Sequence, residues 1–422
     1  MGKIMATRAQ NINPSILTWA RETAGLSIGE AAKKLGLSSS QKASAAEKLE
    51  AFEEGDTKPT RKQLLELAKV YHRPLTVFYL NEPPRKANRV EAFRILPGPV
   101  SPREDALFDA LLRDVYVRQS LVRDILEDDE DIERLGFIGS LKVDENTETA
   151  AARINTELRI GFSNWANSHA KPNHLFDDLR NKIESLGVFV LLMGNLDSRC
   201  SDISEDTFRG FSIADDLAPF IVINNQDARK ACPFTLARGL VHLFLGITGV
   251  STLPRTENPN TSSARTEQFC NDVASELLLS VDSLEGIPRM TNMKDAKSII
   301  AKLAKERDLS ELMIAYRLQR MGRIDKDIYS ELYEFYAERL QNHKQRTKED
   351  GRRRVARGAS YYVVQRHRLG KALLSLVERT LRENQLTHTV AARILGVKPN
   401  SVESLLRGVK GINGSHLPKA EA

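Results

Sequence analysis

The chain has 422 residues, 41% of them hydrophobic and 28% charged. Such a length holds about two to four domains, with apolar residues enough for sizeable cores. No apolar run nears the ~20 residues of a membrane helix, and Met1 to Ile12 lack the apolar stretch of a secretory signal. Three cysteines, Cys200, Cys232 and Cys270, are too few and too scattered for a disulfide framework or a Cys-rich zinc finger. A soluble cytoplasmic protein is expected, with no membrane partner.

The net charge of +6 is unevenly spread. Residues 1–99 carry 16 Lys+Arg and 10 Asp+Glu, residues 100–300 carry 21 and 32, and residues 301–422 carry 25 and 14, giving +6, −11 and +11. Basic ends around an acidic middle point to terminal modules that meet polyanions and a central module with another task. Solvated helix faces would produce some of the same separation.

In chain order, Pro14 to Ala24 is amphipathic and stops at Gly25. Ser27 opens a second helix, Ile28 to Leu35, with Glu30 at the reciprocal capping position, and Gly36 ends it. A third helix is predicted over about 43–54, a fourth over 61–71 capped by Thr60, and a short fifth over 74–80. Two short helices joined at a glycine within a five-helix set form a helix-turn-helix pattern. "TWARETAGLSIGEAAKKLG" followed by "KLEAFEEGDTKPTRKQLLELAKVYHRPLTVFYL" resembles the XRE-type helix-turn-helix domain of phage-repressor-like regulators. The acidic-Gly-x-x-x-Pro-[ST] element at Glu54-Gly55 and Pro59-Thr60 is the most specific part of that likeness.

A Pro-rich basic stretch, 84–100, reads as a linker. Helices are predicted over 101–130, 147–158 and 173–186, then strands over 188–193, 208–213 and 219–224. A helix over 233–245, a polar loop over 251–265 and a helix over 266–279 follow, and helices run almost continuously from 293 to 341. Residues 344–371 hold 10 Lys+Arg against two acids. The tail, "LTHTVAARILGVKPNSVESLL", repeats the opening pattern: a helix over 387–395, a turn at Gly396, and a helix over 399–406. The expected fold is α+β and mostly helical. Its parts are a five-helix domain (1–83), a linker (84–100), a central α+β domain with a small sheet (101–290), a helical extension (291–343) and a basic C-terminal region with helix-turn-helix-like helices (344–422).

In the centre, "RGFSIADDLAPFIVINNQDARKACPFTLARGLVHLFLG" and "TEQFCNDVASELLLS" resemble the ImmA/IrrE family of zincin-like metallopeptidases, which are often fused to XRE domains. The resemblance implies a His-Glu-x-x-His helix, whose histidines bind Zn²⁺ and whose Glu deprotonates the bound water, with a later carboxylate as third ligand. Here the window reads Arg238-Gly239-Leu240-Val241-His242. His242 and Glu267 stand at metal-ligand positions as remnants. Arg238 holds the first-ligand position and cannot ligate, because its guanidinium stays protonated. Gly239 holds the base position, so no catalytic residue is assigned. No cofactor is expected, with Zn²⁺ only if other residues, such as His169, His174, Asp215 or Asp216, rescue the site. Arg238 either pairs with Glu267 in place of the metal or extends to solvent.

For DNA, the first module offers Ser39, Ser40, Gln41, Lys42 and Lys48 around its third helix. The acids Glu47, Glu50, Glu53 and Glu54 on the same helix would repel phosphate unless turned away. The tail offers Arg352, Arg353, Arg354, Arg357, Arg366 and Arg368 as phosphate contacts. The resemblances imply a DNA-binding XRE regulator whose peptidase-like domain is inactive and serves as sensor or protein-binding scaffold. They also leave open an antitoxin that binds a small nuclease toxin and represses its own operon, and an active zinc endopeptidase that cleaves a repressor. DNA and a protein partner (toxin, repressor or a second copy) are the expected partners.

Overall fold

The computed structural model describes residues 8–39, 43–84, 101–159, 174–196, 201–251, 262–351 and 360–407. The chain divides into two compact units, one of residues 1–114 with 195–203, the other of 115–194 with 204–422. Among the described residues no helix is long and apolar enough to cross a membrane.

The first unit contains α1 (Pro14–Thr23), α2 (Ile28–Lys34), α3 (Ala45–Glu53) and α4 (Arg61–Val70), followed by a 3-10 turn (Leu75–Tyr79) where a fifth helix was predicted. Capping chemistry sets three of the starts. Ser27 with Glu30, Ser44 with Glu47, and Thr60 with Gln63 each exchange side-chain and backbone hydrogen bonds, satisfying amides that a helix start leaves unpaired. Ile16, Leu17, Leu49, Leu64 and Phe78 are buried together as the core of this unit. Arg21 crosses from α1 to α3, its Nε 2.8 Å from Glu53 Oε1 and its Nη1 donating to the Leu26 carbonyl at 3.0 Å. Two of the acids that threatened to repel phosphate are therefore engaged inside the unit: Glu47 in its cap and Glu53 on Arg21. Helix α5 (Pro102–Glu127) contains the boundary between the units.

The second unit is built around a four-stranded mixed sheet of order β1-β3-β2-β4: β1 (Phe189–Leu192), β2 (Gly210–Ile213), β3 (Phe220–Ile223) and β4 (Gly249–Ser251). β1 runs parallel to β3, with Phe189 opposite Phe220, and β2 is antiparallel to both β3 and β4. Every residue of β1, β2 and β3 is buried, which is why β1 and β3 are legible as continuous apolar runs, while β2 reads Gly-Phe-Ser-Ile. β4 occupies the end of the segment before the predicted polar loop. Three residues opening on a glycine carry no period, and the strand exists because β2 has an edge to pair.

Helices α6 (Thr147–Glu157), α7 (Leu175–Ser185), α8 (Cys232–Phe244), α9 (Ser262–Leu278), α10 (Met293–Glu306), α11 (Glu311–Arg320) and α12 (Lys326–Gly351) complete the centre. Next come α13 (Tyr361–Leu369), α14 (Lys371–Arg382), α15 (His388–Leu395), a 3-10 turn (Pro399–Ser401) and α16 (Val402–Leu406). Helix α14 was not anticipated. Its Leu373, Leu374, Leu376 and Val377 are buried, and it lies just past the basic stretch that dominated the reading there.

The C-terminal helices belong to this unit through specific contacts. Arg118 of α5 donates to the Ile394 carbonyl at 3.3 Å, and Arg379 meets Asp129 at 3.1 Å. On α7, Arg180 and Glu184 pair at 3.1 Å. Glu184 accepts the backbone N–H of Lys371 and Ala372, while Arg180 donates to the carbonyls of His367, Arg368 and Val190. Between α13 and α14 sits Gly370 at φ +78°, ψ +166°, a region of backbone space open essentially to glycine alone. A Cβ there would collide with Glu184 and Arg180.

Candidate functional site

Helix α8 is buried from Cys232 to Phe244, every one of its 13 residues included. Its sequence is apolar all round, as a helix between two layers must be, except for Thr235, Arg238 and His242. Arg238 and His242 lie one turn apart on one face, at 2% and 1% exposure. Helix α9 packs against that face and brings Glu267 and, one turn on, the fully buried Cys270. Arg238 Nη2 forms an ion pair and hydrogen bond with Glu267 Oε2. The other carboxylate oxygen, Oε1, is 3.5 Å from His242 Nε2. The Glu267 side chain is 35% exposed, so the carboxylate marks where this buried cluster reaches the surface.

The electrostatics follow from this placement. Burial alone would push the Glu267 carboxyl up, but Arg238 and His242 more than reverse it and hold it at about 2. Burial likewise opposes a charged His242, and the adjoining Cys270 and Glu267 outweigh it, raising the imidazole to about 10. A guanidinium removed from water needs such a partner, since an unpaired buried charge costs several kcal/mol, on the order of 3–5.

Gly239 plays a packing part that helix propensity does not reveal. A Cβ at this position would stand 2.7 Å from Ile221 Cγ2 on β3. Gly210 of β2 does the same from the sheet side, where a Cβ would meet Thr235 Cγ2 at 2.6 Å. The two glycines let α8 lie unusually close to the sheet. Ile221 Cγ2 is a branch methyl on a stiff χ1, so it cannot swing aside for a larger residue at 239.

Residues 198–319 match the family model of the IrrE N-terminal-like domain (Peptidase_M78). The matched segment runs from just before β2 to nearly the end of α11, so it contains α8, α9 and the Arg238–Glu267 pair. Comparison of the chain with curated proteins and with solved structures finds no match.

The donor set of this IrrE-like domain does not fit Zn²⁺. A catalytic zinc takes three protein ligands and a water. At positions 238, 242 and 267 the chain supplies one imidazole and one carboxylate, and a guanidinium is bonded to that carboxylate. Among the described residues no three His, Cys, Asp or Glu side chains converge to hold a metal ion. Of the rescuers considered, Asp215 bonds Arg123 and Asp216 bonds Arg134. His174 sits at the start of α7, and His169 lies outside the described residues.

The DNA-contact candidates fall in both units. Ser39 Oγ accepts from the Ala45 amide at 3.2 Å, and Lys48 Nζ donates to the Ser38 carbonyl, so both brace the turn before α3. Arg366 donates to the Leu405 carbonyl at 3.2 Å, tying α13 to α16, and Arg368 is also on α13. Ser40, Gln41, Lys42, Arg352, Arg353, Arg354 and Arg357 lie outside the described residues. Arg180 and Glu184 carry no sequence signal beyond their i, i+4 spacing, because their backbone partners in α13 and α14 lie almost 190 residues away. Cys270 is visible in the sequence as one of three scattered cysteines, and its place beside His242 comes from the packing of α9 on α8.

Proposed function

We propose that the protein is a DNA-binding transcriptional regulator of XRE type. In this reading its IrrE-like domain has lost both metal site and general base and serves as a sensor or protein-binding scaffold. The observation that carries the reading is the Arg238–Glu267 ion pair. A positive side chain takes the position of the first ligand and binds the remaining carboxylate, so it replaces a cation with a fixed charge. Gly239 adds to this, because no base can be attached at that position without displacing Ile221.

Support for the DNA-binding half is the XRE-like sequence of the first unit together with its short helices with capping boxes. The engagement of Glu47 and Glu53 inside that unit removes part of the charge conflict on α3. The +11 balance of residues 301–422 favours a second set of phosphate contacts in the tail.

The test uses the full chain. Zinc content is measured after dialysis, casein and candidate repressor cleavage are assayed, and binding to the DNA upstream of its own gene is titrated with salt. The expected result is far less than one zinc per chain, no cleavage, and log affinity falling linearly with log salt at about −0.9 per phosphate neutralised. Stoichiometric zinc with proteolysis overturns the inactive-domain half. A flat salt response, or no preference for that DNA, overturns the regulator half.

A further inference from the structure

Beside Arg238 the second unit contains a cavity of about 580 Å³, within the ~300–1,000 Å³ typical of small-molecule sites. Its walls come from the N-terminal half of α8, the loop 227–230 before it, the last turns of α10, the start of α11 and the middle of α12. Apolar side chains make up much of the lining, among them Phe234, Leu312, Met313 and Tyr336.

The charge on this lining is one-sided. Six cations border it, Arg209, Arg229, Lys230, Arg238, Lys305 and Arg339, against two carboxylates, Asp227 and Glu311. Both carboxylates are taken, Asp227 by Arg209 at 2.8 Å and Glu311 by Arg339. Lys230 donates to the Ala304 carbonyl at 2.9 Å and stands 3.9 Å from Asp308, which fixes the loop to α10. Just outside the lining, Asp177 stands 3.9 Å from Arg229 and Glu267 holds Arg238. Of the six cations Lys305 is thus the one left with no carboxylate among the described residues, and it is exposed at the cavity wall, set beside apolar surface.

From this combination we infer that the cavity is a binding site for a small amphipathic organic anion, with an apolar or aromatic body against Phe234, Met313 and Tyr336 and a carboxylate or phosphate headgroup among the cations. An apolar pocket with a few convergent charges selects such a ligand twice over. The body contributes burial, and the headgroup makes charge-assisted hydrogen bonds near a low-dielectric wall. A neutral ligand of the same shape gains only the first. Arg238 belongs both to this lining and to the Glu267 pair, so an anion bound at the inner end competes with Glu267 for the same guanidinium. The inference deepens the sensor reading by naming the class of signal. Its test uses no DNA, so it can fail while promoter binding stands, and the converse.

The probe is 8-anilino-1-naphthalenesulfonate, an aromatic anion, titrated into the full chain by fluorescence and calorimetry beside its uncharged relative N-phenyl-1-naphthylamine. One sulfonate per chain should bind, and the neutral relative should bind roughly tenfold more weakly. Lys305→Glu should weaken the sulfonate roughly tenfold, and Ala301→Trp, at an exposed wall position, should block it by filling the space. Lys302→Glu, on the same helix and also exposed, should leave binding unchanged, and circular dichroism should show all three variants folded. Displacement by hexanoate or by hexyl phosphate then tells which headgroup the site prefers. Equal binding of the neutral relative, or wild-type binding by both Lys305→Glu and Ala301→Trp, overturns the inference.

Discussion

Arg180–Glu184 and Arg238–Glu267 are both arginine–glutamate pairs inside the second unit, the first within α7 and the second between α8 and α9. The first is nearly sealed, at 6% and 5% side-chain exposure, and its remaining bonds run to backbone: two amides at the start of α14 and carbonyls at the end of α13 and on β1. The second joins side chain to side chain, with His242 and Cys270 as neighbours and a carboxylate that reaches the surface. A charge pair fastened to the main chain holds a corner of the fold and can change little without unfolding it. A charge pair among side chains, next to a cavity, can exchange partners while the backbone stays in place.

The largest effects should fall on the sealed pair. Gly370→Ala forces a side chain into backbone space open essentially to glycine and onto the Glu184 carboxylate. Together with Glu184→Gln, it should cost roughly 3–5 kcal/mol in urea unfolding, the usual penalty for breaking a buried pair. Glu267→Gln also leaves the buried Arg238 without its carboxylate, but it should cost less than the change at 184, because the pair opens to the surface on the Glu267 side, where water can reach the guanidinium. Equal losses at 184 and 267 would erase the distinction drawn between the pairs.

Next in size is Gly239→Ala. In an exposed helix this change stabilises by about 1 kcal/mol, but here the new Cβ meets Ile221 Cγ2 and overpacking should destabilise by about 1–3 kcal/mol. In an Ile221→Ala background the penalty should vanish. If it persists there, the helix–strand contact is not its cause.

The two glutamates should also titrate in opposite senses. Glu184 is pushed above its ordinary value, first by burial, which outweighs Arg180 and the two backbone amides. Its contribution is complete below about pH 4.5 and is lost as pH rises through the raised value. Glu267 is held at about 2, so its contribution is complete above about pH 4.5 and is lost as pH falls towards 2. Urea midpoints against pH for Glu184→Gln and Glu267→Gln should therefore diverge from wild type with opposite slopes. Parallel profiles would count against these environments. At the small end, Glu378→Gln breaks only an exposed pair with Arg382 and should change stability by no more than about 0.5 kcal/mol, setting the baseline for the rest.

Much of the fold was readable from local pattern. The capped helix starts at Ser27 and Thr60, the apolar runs that became β1 and β3, and the short segment that became β2 are properties of a few adjacent residues. The 3-10 turn at Leu75–Tyr79, the short β4 and helix α14 were not, because each is decided by what it packs or pairs with. At the candidate site, one of the two alternatives considered for Arg238 is the arrangement found, since a charge one turn before His242 has few places to go on a buried helix. The packing role of Gly239 was not legible, because nothing in its neighbours along the chain reports that Ile221 lies against it. The cavity was invisible for the same reason: its cations are scattered from Arg209 to Arg339 and converge only in three dimensions.

The close seating of α8 on β3 also bears on how such a chain could change over time. As long as Ile221 keeps its branched methyl, a carboxylate cannot be placed at 239 by one substitution, and a histidine at 238 alone would strip Glu267 of its cation. On the proposed reading, hydrolytic chemistry at this site would need coordinated changes on a helix and on a strand, with each single step worse than the start. The contact between a glycine and an isoleucine would thus act as a ratchet, closing that path while leaving the surrounding cavity and surface free to diverge.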